Sequence, residues 1–181
     1  MRTGCCGKRR DELSKPVGLR FGRDELLYDI GNYAYVEGDV MPAKDEHARL
    51  QVFDVTQEGN VDIATRILNL AHSEVTEMLY PYTKERVDAD ECYGDELEEP
   101  ETYVIDMKVP ENFSRTSLKF LRQLVHEYMV YRVLYEWMGL ANLGNPGSRQ
   151  IWHERLEGIR TQIKSAVRWR TGPLRLGRHP F

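Results

Sequence analysis

Residues 114–140, SRTSLKFLRQLVHEYMVYRVLYEWMGL, contain no proline, and glycine only at position 139. Ser114 is suited to cap a helix that would extend roughly 40 Å at 1.5 Å per residue. In its first half Leu118, Phe120, Leu121, Leu124, Val125, Tyr128 and Met129 fall on one broad arc at about 100° per residue, as in a helix lying on a core. Beyond that the arc breaks. Arg132 and Glu136 stand where the stripe should continue, while Val130, Tyr131, Val133, Leu134, Tyr135, Trp137 and Met138 cover the rest of the circumference. One account makes this helix central, with Arg132 and Glu136 paired in a partly buried position. The other takes its second half out of the chain's own core and onto a neighbouring subunit, where Tyr, Trp and Met are enriched. The second is favoured, because four helices have limited means to enclose one of their number; it makes Tyr131, Leu134, Trp137 and Met138 the subunit contact.

Three further helices surround this one in the sequence. From Asp24, Leu26, Leu27, Ile30, Tyr33 and Ala34 share an arc that Gly38 is expected to end, with Gly31 an unfavourable interior residue. Asn60 is a good N-cap for the clearest amphipathic helix, in which Ala64, Ile67, Leu68, Ala71, Val75, Met78, Leu79 and Tyr82 keep three-four spacing. Pro81 and the polar run after it stop that helix near Thr83. The last helix, capped by Ser148 after the NLGNPGS turn, places Trp152, Leu156, Ile159, Ile163, Ala166 and Val167 on one stripe. Between the second and third helices YVIDMKVP alternates Tyr103, Ile105, Met107 and Val109 with Val104, Asp106 and Lys108, a half-buried strand. Its partner is sought near Val87, in LQVFDV, or in another subunit. MPAKDEHARL reads as a loop. The fold class expected is mainly α, a helical bundle of about four helices with a small β element and extended basic terminal arms. Residues 1–23 form the first arm, 24–170 the helical domain with an acidic loop at 84–101, and 171–181 the second arm.

The net charge of −4 on 181 residues conceals a segregation. Residues 1–23 carry seven Lys or Arg against Asp11 and Glu12; eight acids and no base lie between Asp88 and Glu101; and after Glu157 only bases follow, among them Arg160, Lys164, Arg168, Arg170, Arg175 and Arg178. Such blocks are solvated tails and loops, or docking elements for nucleic acid or a neighbouring copy. Trp169, off the stripe of its helix and flanked by Arg168 and Arg170, with Phe181 at the end of the arm, favours docking through an aromatic anchor. No apolar run approaches the length of a membrane span, and MRTGCCGKRRDELSKP lacks the apolar centre of a signal peptide, so neither membrane nor export is expected. Cys5, Cys6 and Cys92 have no CxxC spacing and suggest neither zinc nor a disulfide framework.

Chemistry-bearing motifs are absent where they were sought. A two-histidine zinc helix needs His four residues after His126, where Val130 stands; a di-iron helix needs Glu three residues before His72 or His126, where Asn69 and Gln123 stand. His72 lies at the rim of its helix's apolar stripe, as a partly exposed polar residue would. There is no GxSxG, and GNPGS lacks the Walker lysine and the dinucleotide spacing. Neither catalytic residues nor metal or other cofactors are expected.

From Asn60 to Arg170 the layout resembles the tailed-phage head-to-tail connector proteins, also called adaptor or head-completion proteins. The resemblance is carried by DIATRILNLAHSEVTEML, the strand YVIDMKVP, the long aromatic helix SLKFLRQLVHEYMVYRVLYEWMGL and the closing helix IWHERLEGIRTQIKSAV. It implies a structural virion protein without catalytic residues, assembled in the host cytoplasm into the virion neck. About twelve copies would form a ring between the portal protein and a tail or second adaptor protein. DNA would pass through the lumen without sequence readout. It also implies that a terminal arm, with Arg168, Trp169, Arg170, Arg175, Arg178 and Phe181, docks on portal or tail. The basic N-terminal arm and long acidic loop depart from the compact connector core. A basic-armed nucleic-acid-binding protein for DNA packaging or regulation is the alternative, and an unrecognised helical enzyme the third.

Overall fold

Alternating burial along residues 102–110 sets the frame, because a strand with one apolar face needs both a partner and a layer to cover it. In the computed structural model, which describes residues 14–41, 46–80, 82–85, 94–111, 113–141 and 146–168, both are present. Strand β1 (Ser14–Gly22) pairs antiparallel with β2 (Thr102–Pro110), with Leu19 opposite Ile105 and Phe21 opposite Tyr103. Tyr103, Ile105, Met107 and Val109 are buried as the alternation requires, joined by Leu19 and Phe21.

The strand partner corrects the sequence reading. Residues 14–22 were expected in a loose arm because Pro16, Gly18 and Gly22 interrupt them, but each has a place in the ladder. Pro16 stands opposite Lys108, whose amide points away from β1 to donate to the Tyr82 carbonyl (2.8 Å). At such a position the missing N–H of proline costs no ladder bond. Gly18 stands opposite Asp106, whose Oδ1 would lie 3.1 Å from an added Cβ. Residues 1–13 of that expected arm lie outside the described residues.

The remaining elements are helical: α1 (Arg23–Asp39), α2 (Glu46–Phe53), α3 (Val61–Met78), α4 (Arg115–Ala141) and α5 (Pro146–Arg168). The mainly α fold with a small sheet stands as expected, with one more helix. That helix, α2, occupies part of the supposed MPAKDEHARL loop and the LQVF of LQVFDV, and a 3-10 turn over Asp54–Thr56 follows; Val52 and Val55 are completely buried. The helix is only 8 residues long, too short for periodicity to declare it.

Two glycines in α1 explain how α2 and the turn come so close. An added Cβ at Gly38 would lie 2.5 Å from Cε1 of Phe53, and one at Gly31 would lie 3.3 Å from Oγ1 of Thr56. Gly38 therefore does not end the helix, which runs on to Asp39; it admits the Phe53 ring. Leu26, Ile30, Ala34 and Gly38, at steps of four, form the buried edge of α1.

Helix α3 buries Ala64, Leu68, Ala71 and Val75 on the predicted stripe and ends at Met78, where Thr83 Oγ1 donates back to the Thr76 carbonyl (2.8 Å). Asn60 occupies the N-cap position, but its amide donates to the Asp54 carbonyl (2.9 Å), tying the helix start to the 3-10 turn. Helix α5 begins at Pro146, ahead of Ser148, the expected cap. Proline suits a first helical turn because that turn's N–H groups have no partner within the helix.

Candidate functional site

Helix α4 packs against α1, α2, α3 and α5. This enclosure decides between the two accounts of its second half. Leu134 and Met138 are completely buried and Trp137 nearly so, all within the chain's own core, so the expected subunit contact through these three is corrected. The unanticipated α2 supplies part of the missing cover.

The charges that broke the stripe are paired. Arg132 Nη1 donates to the Glu136 carboxylate on the same helix, and Arg132 Nε donates to Glu74 Oε2 of α3 (3.2 Å). Tyr128 Oη donates to the same Glu74 oxygen (2.7 Å), and burial, followed by Glu74, pushes the Tyr128 pKa up to about 12. Arg160 of α5 bonds Glu157 (2.8 Å) and approaches Tyr128 Oη (3.4 Å), so the polar belt spans three helices. Its members satisfy one another across the three helices.

Tyr131 is the one predicted contact residue that keeps solvent access, and it leads to the principal surface feature. Its ring packs against Tyr33 of α1 (5.8 Å) and Trp152 of α5 (5.4 Å). Burial, with Glu127 and Tyr33 at its hydroxyl, raises its pKa. Beside it opens a groove of about 830 Å³ between β1, the start of α1, α4 and α5. Arg20, Arg122 and Arg155 line this groove, with Phe120, Tyr131 and Ile159 as apolar wall. The three guanidinium groups make no ion pair among the described residues. Arg155 instead lies over the Trp152 ring at 4.7 Å.

This groove continues across α1. Glu25 and His126 line both it and a second depression that includes Tyr28 and Asp29; Tyr28 and Asp24 line both that and a third, reaching Tyr35. His126 Nε2 bonds Asp29 Oδ2 (2.8 Å), pinning α4 to α1 at the junction. The outward side of α1 and its end expose large apolar side chains among Asp24, Glu25, Asn32 and Asp39: Tyr28 is 71%, Tyr35 64%, Val36 62% and Val40 74% exposed.

The other histidine considered as a ligand, His72, lies at the rim of the α3 stripe as expected. Its Nε2–H donates to the Val104 carbonyl (3.0 Å), and burial, partly opposed by that bond, lowers its pKa. Among the described residues no group of three or more His, Cys, Asp or Glu side chains could hold a metal ion, and no helix is long and apolar enough to cross a membrane.

The expected docking residues Trp169, Arg170, Arg175, Arg178 and Phe181 lie outside the described residues, as do Cys5, Cys6, Cys92 and the acids from Asp88 to Glu91. Arg168 closes the backbone of α5, and its side chain is likewise outside them. Sequence reasoning missed the α1 surface because the mixture of Tyr, Val and acids gave no sharp period. It missed Arg20, Arg122 and Arg155 because they come from three separate elements. A signal was present in Tyr28, Tyr35 and Val36, apolar residues that the predicted α1 arc leaves on its far side.

Comparison of the chain with protein-family models, with curated proteins and with solved structures finds no match.

Proposed function

We propose that the chain is a structural connector of the tailed-phage neck, a ring-forming adaptor of about twelve copies between the portal protein and a tail or second adaptor protein. The observation that carries this reading is the outward side of α1, where Tyr28, Tyr35, Val36 and Val40 are exposed beside an arginine-lined groove. Aromatic and aliphatic side chains exposed together beside such a groove support contact with another macromolecule. An aromatic and arginine-rich composition is that of a protein–protein interface. The contact assigned in the sequence to α4 thus moves to α1 and the adjoining groove, with Tyr131 shared by both assignments. The basic arms, including residues 171–181, would dock on portal or tail, and DNA would traverse the lumen unread. Assembly would take place in the host cytoplasm.

Light scattering of the purified chain, with and without duplex DNA at low and moderate salt, tests the reading. Self-association that tolerates moderate salt and needs no DNA is the expected result. A monomer that binds duplex DNA with a steep salt dependence would instead establish the basic-armed nucleic-acid-binding alternative.

A further inference from the structure

The chain presents a second charged feature on different elements. Residues 94–101, GDELEEPE, lead into β2 and carry Asp95, Glu96, Glu98, Glu99 and Glu101. Three bonds hold this segment in place. Asn69 Nδ2 donates to the Glu98 carbonyl (2.8 Å), the Arg23 amide donates to the Glu101 carbonyl (3.0 Å), and Arg23 Nη1 bonds Glu99 Oε2 (3.0 Å). The side chains of Asp95, Glu96 and Glu98 remain exposed and make no ion pair among the described residues. A ridge of carboxylates on a tethered backbone has already lost much of the freedom that binding would otherwise remove.

The arginine groove is its chemical complement. Arg20, Arg122 and Arg155 project from β1, α4 and α5, and Glu25 and Glu127 are the carboxylates that share the groove. Glu127 is engaged by the Tyr131 hydroxyl. Guanidinium groups without carboxylate partners favour a carboxylate-bearing ligand, since Arg–carboxylate bonds are charge-assisted and can be bidentate. Phe120, Tyr131 and Ile159 offer apolar wall to the backbone and to a side chain such as Leu97, itself half-buried between the acids.

We infer that the arginine groove is the socket for the acidic segment, residues 94–101, of a second copy of this chain. Socket and segment differ, so the contact is heterologous: each copy receives one neighbour and is received by another, as a ring requires. This pairing rests on the assembly reading above and names its electrostatic register, while the adjoining α1 surface supplies the apolar part.

Charge reversal tests it in the full-length chain. Sedimentation velocity would be run at about 20 mM and about 150 mM salt, where screening differs strongly. Arg122→Glu with Arg155→Glu makes a socket variant, and Asp95→Lys with Glu96→Lys makes a segment variant; all four residues are exposed, and circular dichroism melts verify that each variant is folded. Each variant alone is expected to associate at least about tenfold more weakly than wild type. An equimolar mixture of the two should regain association beyond a dimer with the copies alternating, because the native socket meets the native segment and the reversed socket meets the reversed segment. A chain carrying all four changes should regain self-association.

Wild-type association that survives both reversals would overturn the pairing and leave the assembly reading standing. A wild type that stays monomeric at both salts also overturns it. If in addition the socket variant loses binding to duplex DNA, the arginines serve phosphate and both readings fall.

Discussion

Arg132 on α4 donates to Glu74 on α3 across 3.2 Å, and the same guanidinium holds Glu136. One cation thus separates two carboxylates in a largely buried position. Arg132→Leu would leave Glu74 and Glu136 facing each other with only Tyr128 as neutral donor. Removing one partner of a buried pair costs about 3–5 kcal/mol. Because both carboxylates keep some solvent access, we expect a loss nearer about 2 kcal/mol. Urea unfolding monitored by circular dichroism measures it. Adding Glu74→Gln should recover part of the loss, and an unchanged midpoint in the single variant would show that the belt contributes nothing to stability.

Gly38 and Phe53 give a prediction whose sign depends on the partner. Alanine in a helix interior gains about 1 kcal/mol over glycine. At position 38 its Cβ would lie 2.5 Å from the Phe53 ring, and overpacking of this kind costs about 1–3 kcal/mol. Gly38→Ala should therefore destabilise the wild type by about 1 kcal/mol yet be neutral or stabilising in a Phe53→Leu background. A thermal double-mutant cycle reads the coupling directly, and equal effects in both backgrounds would exclude the contact as its cause.

Much of the fold was legible because periodicity reports burial: the alternation in residues 103–109 and the stripes of α3 and α5 needed no tertiary information. Three features were not. Strand β1 is broken by Pro16 and Gly18, which make sense only opposite Lys108 and Asp106. Helix α2 is too short for a period to register. The second half of α4 is apolar all round both when wholly enclosed and when half given to a subunit, and only the position of α2 separates these cases. Of the candidate surface the sequence reading named Tyr131 alone, since the groove arginines are distant in sequence and the signal in Tyr28, Tyr35 and Val36 had no sharp period. The enclosure carries its own expectation. Trp137→Ala should cost the monomer about 3–5 kcal/mol, seen as a lowered circular dichroism melt. A variant monomer as stable as wild type would return the residue to an intersubunit role.

His72 makes stability depend on pH. Its pKa is lowered from the ordinary 6.5 chiefly by burial, so on acidification the unfolded chain takes up the proton before the folded one does. The stability associated with a neutral His72 is full above about 6.5 and is lost as pH falls through its lower folded value. His72→Gln retains an amide able to donate to Val104 and removes the titration. Between pH 7 and pH 5 the wild-type melting temperature should fall more than that of the variant. Parallel pH profiles would assign the acid sensitivity to carboxylates common to both proteins.

The exposed Tyr28 and Val36 of α1 distinguish an assembly surface from packing. Tyr28 and Val36 are mostly exposed, and replacing exposed side chains away from caps and networks changes stability by less than about 0.5 kcal/mol. Tyr28→Ser with Val36→Ser should therefore leave the melting curve unchanged. If this surface meets a neighbouring copy, the same pair of changes removes aromatic and aliphatic contacts from the interface centre, where truncations cost about 2 kcal/mol or more. Association measured by light scattering should then weaken by at least about tenfold. Unlike reversal of the groove arginines, the loss should persist at high salt, because apolar burial is not screened. Full association by this variant would remove α1 from the interface and leave the groove as the remaining contact.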